Sequence, residues 1–573
     1  MAIDPERIGT NQGEDEGSET NQGKPRQEGL DRRTFLKSSA AAGAALRSLL
    51  SAPVAGAIAA EASLMDAEKA SAQYGPPSNV WDQGLMTEGG VPPFRLPSGA
   101  LDYLDRNEYS LNMKVISYSP GLAISVGEPL VNMWAKGARR VLPGANGFVD
   151  VSNPLKPEVI NKHVFKGGHN LVAFNTQLKK WILLTSAEAP MTEPSPQYPH
   201  GKYDPNHPGL AENRNYKGLR GIRLYDITNP EKPSLLSEYS VGTTGHGTHM
   251  NFYDGGRYAS LDCGWTDQLR TETAVRVHGN GIMFVDVSDP MNVKEMSRWW
   301  APGQMLGEEE EWLKYRFTND HQSWTQVHGA PIWPVRPDEG GRIAYGGYGA
   351  FGFYVFDISD IRHPKPIGHT VWEWEPPGDN VYAFVYPIRT DAAHPQLRNL
   401  AISTTESMYA DGRAPYHPAH MIDINDPHNP KIIGNFPRPM PDPKAPYADF
   451  IFSRGRLGEK SMQAWVAPGR MRPELAIIAT FTGGVQVYDI SDPTAPKEVA
   501  YYVPPRDGEM EDYWSWWRGT TETVFVEWDR KLIWVQCHAG TYCLSCSLLG
   551  EPVLEPRKIE EWSVPHVNAG WDG

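Results

Sequence analysis

The chain has 573 residues, 40% of them hydrophobic, with 54 Lys and Arg against 69 Asp and Glu for a net charge of −15. That length calls for several domains or one large closed architecture, the apolar content excludes a disordered polypeptide, and net acidity without a basic patch excludes nucleic acid as the main partner. Four Cys cannot make a disulfide framework, while 55 Gly, 50 Pro, 19 Trp and 25 Tyr favour tight turns and aromatic packing in an all-β repeat protein.

Residues 1–30 are polar and read as disordered. Asp31-Arg32-Arg33-Thr34-Phe35-Leu36-Lys37 follows, then an Ala-rich, weakly apolar stretch to about Ala60. This resembles a twin-arginine export signal, with Asp31 standing where Ser or Thr is commoner. Small-x-small cleavage points occur at Ala55-Gly56-Ala57 and Ala57-Ile58-Ala59, and a more distant one at Ala70-Ser71-Ala72. The resemblance implies passage of the folded chain through the twin-arginine machinery and a periplasmic or secreted mature protein with no stable membrane span. The expected organisation is a leader over 1–60, an extension over 61–110 and a propeller over 111–566.

One pattern recurs through the remainder: β-formers, Asp, an aliphatic residue, Ser/Thr/Asn, Asp/Asn and usually Pro. The clear copies carry Asp150, Asp226, Asp286, Asp357, Asp423 and Asp489, 60 to 76 residues apart, and Gly540–Ser545 is a degenerate seventh. The Asx-Pro pair starts a turn, because Asx side chains cap nearby backbone N–H groups and Pro pre-sets φ. Apolar runs such as Trp181–Leu184 and Leu475–Ile478 supply a strand ahead of each copy, and Asn170–Phe174 a further one. About four strands per unit is the content of a propeller blade. The copies resemble LVIVD repeats over roughly residues 110–562, and the expected fold is an all-β, seven-bladed β-propeller of four-stranded blades with long insertions over one face.

Overlaying the units brings three histidines into register. His169, His249 and His328 start the first strand of blades two, three and four, separated by 80 and 79 residues. First strands line the central channel, so these imidazoles are expected at one rim, where neutral imidazole ligates transition metals and leaves positions open for water or substrate. The second strand runs back to the same rim, ending at Glu128, Glu188, Glu406 and Cys537-His538 in blades one, two, five and seven, and blade seven's first strand begins near Glu522. The candidate ligands are therefore His169, His249, His328 and His538, with His246 and His321 as further options for a fourth position. Glu522, Glu406 and Glu128 are the candidate catalytic acids, and carboxylates there can also orient the imidazoles or bind the ion.

Other motifs carry less. His417 and His420 look like a ligand pair, but the repeat phase puts His420 on a surface or inter-blade face. Cys263, Cys537, Cys543 and Cys546 would be open to a disulfide in an exported protein, with free buried thiols as the alternative. Gly347-Tyr-Gly-Ala-Phe-Gly352 matches a dinucleotide fingerprint but precedes a strand instead of a helix. Insertions over 188–218, 295–326 and 505–520 are rich in Pro, Trp and polar residues and either cover the rim or pack onto the blades.

These features together suggest an exported enzyme with one transition metal ion (Fe, Cu, Zn or Mn), an oxidoreductase acting on a small, partly aromatic organic substrate on the propeller axis. A metal-dependent lyase or hydrolase, and a non-catalytic surface scaffold binding protein or glycan, are the competing readings.

Overall fold

The computed structural model describes residues 110–120, 133–144, 147–162, 164–189, 213–269, 280–308, 327–349, 351–371, 380–407, 416–440, 450, 456–464, 466–504, 521–537 and 540–563. The leader, the extension up to residue 109, Glu128, His321, His538 and most of the three insertions lie outside them. Among the described residues helix is confined to single turns, and no helix is long and apolar enough to cross a membrane.

The strands form seven antiparallel sheets arranged as a seven-bladed β-propeller, built from neighbours in sequence except that Ser110–Leu111 and Met113–Pro120 join the sheets of the last two blades. Blade two is representative, with Asn170–Asn175 innermost, then Lys180–Ala187, Gly221–Asp226 and Ser234–Ser240. In blade four an isolated bridge between Ile332 and Tyr345 stands where the innermost strand would be. The repeat motif is always the third strand. It is buried on both faces, as in Val485–Asp489, because each blade is sandwiched between two others.

The turn chemistry is local and repeats closely. Asp150, Asp226, Asp286, Asp357 and Asp423 each accept the N–H two residues on at 2.9 Å, and Asp489 does so at 2.8 Å. The second Asx of each copy caps its own i+2 N–H, as Asn229 does for Glu231 at 3.1 Å. The fourth strand then carries a register shift, and its bulge docks on the Pro turn of the following blade. Ser237 Oγ donates to Pro290 O at 2.5 Å across blades two and three. Between blades four and five Gly368 takes that place, where a Cβ would stand 2.0 Å from Pro427 O.

Ring closure corrects one expectation. Met113–Pro120 pairs with Gly540–Cys546 and so becomes the outer strand of the last blade. Blade one therefore starts at Trp134–Lys136, and its second strand is Arg139–Pro143. Glu128 precedes the first strand of that blade and does not end its second. The strand ahead of Glu128 belongs to the blade at the other end of the chain, which moves the repeat phase by one strand there. The four cysteines are buried thiols, and no disulfide joins them.

Candidate metal centre

Each key side chain on the rim is fixed by backbone pairing between a blade's innermost segment and its second strand, with His249 directly after the innermost strand Gly247–Thr248 of blade three and not at its start. Ser186 N donates to His169 O at 2.9 Å, His249 N to Asp262 O at 2.9 Å, and Lys460 N to Ala479 O at 2.8 Å. His328 N makes the equivalent bond to Gly347 O at 3.4 Å. Four blades thus present one residue each at the same height on the axis.

The imidazoles of His169, His249 and His328 converge. His169 and His249 have ring centroids 4.3 Å apart and nearly perpendicular planes, and His328 lies 5.2 Å from His249. Glu188, at the end of blade two's second strand, completes the group. Its Oε1 lies 2.6 Å from His249 Nδ1 and 4.0 Å from His169 Nε2, and its Oε2 lies 3.4 Å from His246 Nε2. One ligand atom from each of His169, Glu188 and His249 falls within 4.8 Å of the others, so the three can hold a metal ion. An ion with bonds of about 2.0–2.2 Å holds its donors within about 4.4 Å of one another, so a few tenths of an ångström of side-chain movement would close the set.

The electrostatics fit a site prepared for a cation. Burial opposes charge on Glu188, but His249 and His246 hold its carboxyl well below the usual range. Burial likewise pushes His249 down, yet the facing Glu188 carboxylate outweighs it and raises the imidazole above its ordinary value. His169 is held well below, first by burial and then by His249. His328 is also well below, by burial and then by the Lys460 ammonium. Two of the three imidazoles are therefore neutral, the form that ligates metals. Behind them Asp262 is pushed up to about 6 by burial, its Oδ2 accepting Gly329 N at 2.9 Å.

Glu406 faces the group from blade five. Its Oε2 lies 3.4 Å from His328 Nδ1 and accepts from Lys460 Nζ, and its Oε1 accepts from Arg456 Nη1 at 2.7 Å. His328 Nδ1 is buried and has no hydrogen-bond partner among the described residues, so Glu406 does not fix which ring nitrogen faces the group. Glu522 is 4% exposed in blade seven, where its carbonyl accepts from Ser461 Oγ at 2.6 Å and its carboxylate acts on His169. His420 is fully buried with Nδ1 against Asn435 Oδ1 at 2.8 Å, and burial takes His420 down to about 3 and His417 to about 4. That places His420 between blades and excludes the surface position. Trp299 packs on Tyr348, Tyr354 and Phe356, so this part of the insertion holds blades together.

Two residues of the site were not singled out as such in the sequence. Glu188 was visible as a strand-end carboxylate able to bind the ion, but repeat phase did not distinguish it from Glu128 and Glu406. Lys460 occupies the histidines' phase in blade six, directly before Ser461–Met462, and a search for ligating residue types passes over it.

Fold and site define a seven-bladed β-propeller with a candidate three-residue metal group at one end of its axis. The LVIVD repeat model matches residues 475–503, the second to fourth strands of blade six. No curated protein matches the chain.

Proposed function

We propose that the chain is an exported, metal-dependent oxidoreductase acting on a small, partly aromatic organic molecule at the mouth of the axis. The observation that carries this is the convergence of His169, Glu188 and His249 from two blades, two imidazoles and one carboxylate. That donor set, with positions left open, suits non-haem Fe(II) and oxygen chemistry better than the tetrahedral thiolate sites of structural zinc. His328 borders the same space with its ring 5.2 Å from that of His249, and Glu406 and Glu522 are the acids that can move a proton there. The Arg-Arg leader supports passage through the twin-arginine machinery, a route that carries folded chains with the metal already in place.

The test uses nitric oxide as a stand-in for dioxygen. Protein loaded anaerobically with Fe(II) and exposed to nitric oxide is expected to give the EPR signal of a high-spin iron–nitrosyl, and His249→Ala to abolish it. Iron uptake with no nitrosyl signal would mean a coordinatively closed ion and would contradict oxygen activation. Turnover of a phenol or ester without oxygen uptake would move the reading to a lyase or hydrolase.

A further inference from the structure

Lys460 is an unusual residue to find beside a metal group. It sits in blade six, its side chain is 5% exposed, and its ammonium donates to Glu406 in blade five. The same nitrogen lies 3.9 Å from Met250 Sδ in blade three, next in sequence to His249. A side chain that touches blades five and three from blade six must lie across the channel, so Lys460 spans the axis opposite His169 and Glu188.

Its charge is only partly answered there. Arg456 and Lys460 bring two positive charges to the single carboxylate of Glu406, and His328 Nδ1 approaches the oxygen that Lys460 uses. The ammonium has three N–H bonds. One meets Glu406 and another has only a thioether, a weak acceptor, within reach; no other acceptor serves it among the described residues. A buried cation facing a metal dication is unfavourable unless an anion stands between them.

We propose that Lys460 forms the anion-binding half of the site: its ammonium, held by Glu406 across the axis from His169 and His249, takes an anionic oxygen of the substrate whose other contact is the metal. The substrate class is then a small organic anion, a carboxylate or an ionised phenol. This rests on the metal-centre reading above and narrows it. A neutral molecule would leave ammonium and metal facing each other, whereas a carboxylate bridges them with one charge-assisted contact on each side.

The experiment loads the full-length protein with Co(II), whose visible spectrum reports its coordination, and titrates it with benzoate and with the neutral isostere benzamide. Benzoate is expected to change the spectrum saturably and benzamide to leave it unchanged. Lys460→Met is expected to weaken benzoate at least about tenfold, the scale of one charge-assisted hydrogen bond, while Co(II) binds as tightly as before or tighter. Lys460→Arg keeps the charge and should retain most of the affinity. Equal response to benzoate and benzamide in the wild-type protein, or unchanged benzoate affinity in Lys460→Met, overturns the proposal. If Co(II) does not bind at all, the metal reading fails separately. Calorimetry of benzoate on the metal-free protein then decides the anion site: binding lost in Lys460→Met sustains it, and no binding refutes it.

Discussion

Replacing Glu527 by Gln tests how the ring is held shut. Glu527 ends blade seven's first strand, is fully buried, and accepts from Arg530 Nη2 and Trp534 Nε1 at 2.6 Å each and from Arg530 Nε at 2.8 Å. It also takes Arg140 Nη1 from blade one. Arg530 in turn donates to Ser152 O and Val151 O of blade one at 2.7 and 2.9 Å, and Arg140 to Asp529 at 2.6 and 2.9 Å. Two buried guanidiniums therefore join the first and last blades through one carboxylate and its neighbour. A Gln oxygen can still serve Trp534 and Arg530 Nη2, but its NH2 sets donors against Arg140 Nη1 and Arg530 Nε. Losing two charge-assisted hydrogen bonds, at about 1.5–3 kcal/mol each, gives a loss of about 3–6 kcal/mol, in line with about 3–5 for breaking a buried ion pair. Urea unfolding followed by Trp fluorescence measures it as a lower midpoint at unchanged slope. A loss below about 1 kcal/mol would refute the view that this cluster closes the ring.

Two further outcomes follow from the same geometry. Gly368→Ala drives a methyl group to 2.0 Å from Pro427 O between blades four and five, and thermal unfolding should show a loss of about 1–3 kcal/mol; wild-type stability would contradict that blade contact. In the metal-free protein, the His249 resonance should titrate above 6.5, while His169 and His328 stay neutral through that range. The raised imidazole adds stability that is full below the unfolded value near 6.5 and fades as pH climbs through its folded value. The two lowered ones instead cost stability as pH falls below 6.5, because the unfolded chain takes up protons that they refuse. Below 6.5 the His249 contribution is already full, so the two lowered histidines draw the metal-free protein's stability down in acid. Three histidines titrating together near 6.5 would contradict the arrangement, and Glu188→Gln should bring His249 down.

What the sequence disclosed depended on how local the physics was. The paired Asx turns use atoms two residues apart, so Asp226, Thr228, Asn229 and Glu231 announce their own conformation, and six such copies announce the blades. Closure is the opposite case. Met113 pairs with Cys546 across almost the whole propeller, and no periodicity within either strand says so. That is why the blade-one assignment of Glu128 slipped. At the site, repeat phase was enough to gather His169, His249 and His328 at one rim, because backbone pairing fixes where each first strand begins. Phase alone does not say which carboxylate turns inward. Glu188 and Glu406 end equivalent strands, yet the first meets His249 and the second is taken by Lys460 and Arg456. That difference depends on side chains from neighbouring blades and becomes visible only once the ring is assembled.

Metal uptake by defined variants tests the central claim most directly. Protein stripped of metal and titrated with Fe(II) or Zn(II) should bind one ion per chain, with X-ray absorption showing imidazole and carboxylate ligation. His249→Ala and Glu188→Ala should each abolish that uptake while circular dichroism keeps the β-propeller signature. Stoichiometric binding that survives both substitutions, or none in the wild-type protein, would contradict the assignment of His169, Glu188 and His249 as a metal centre.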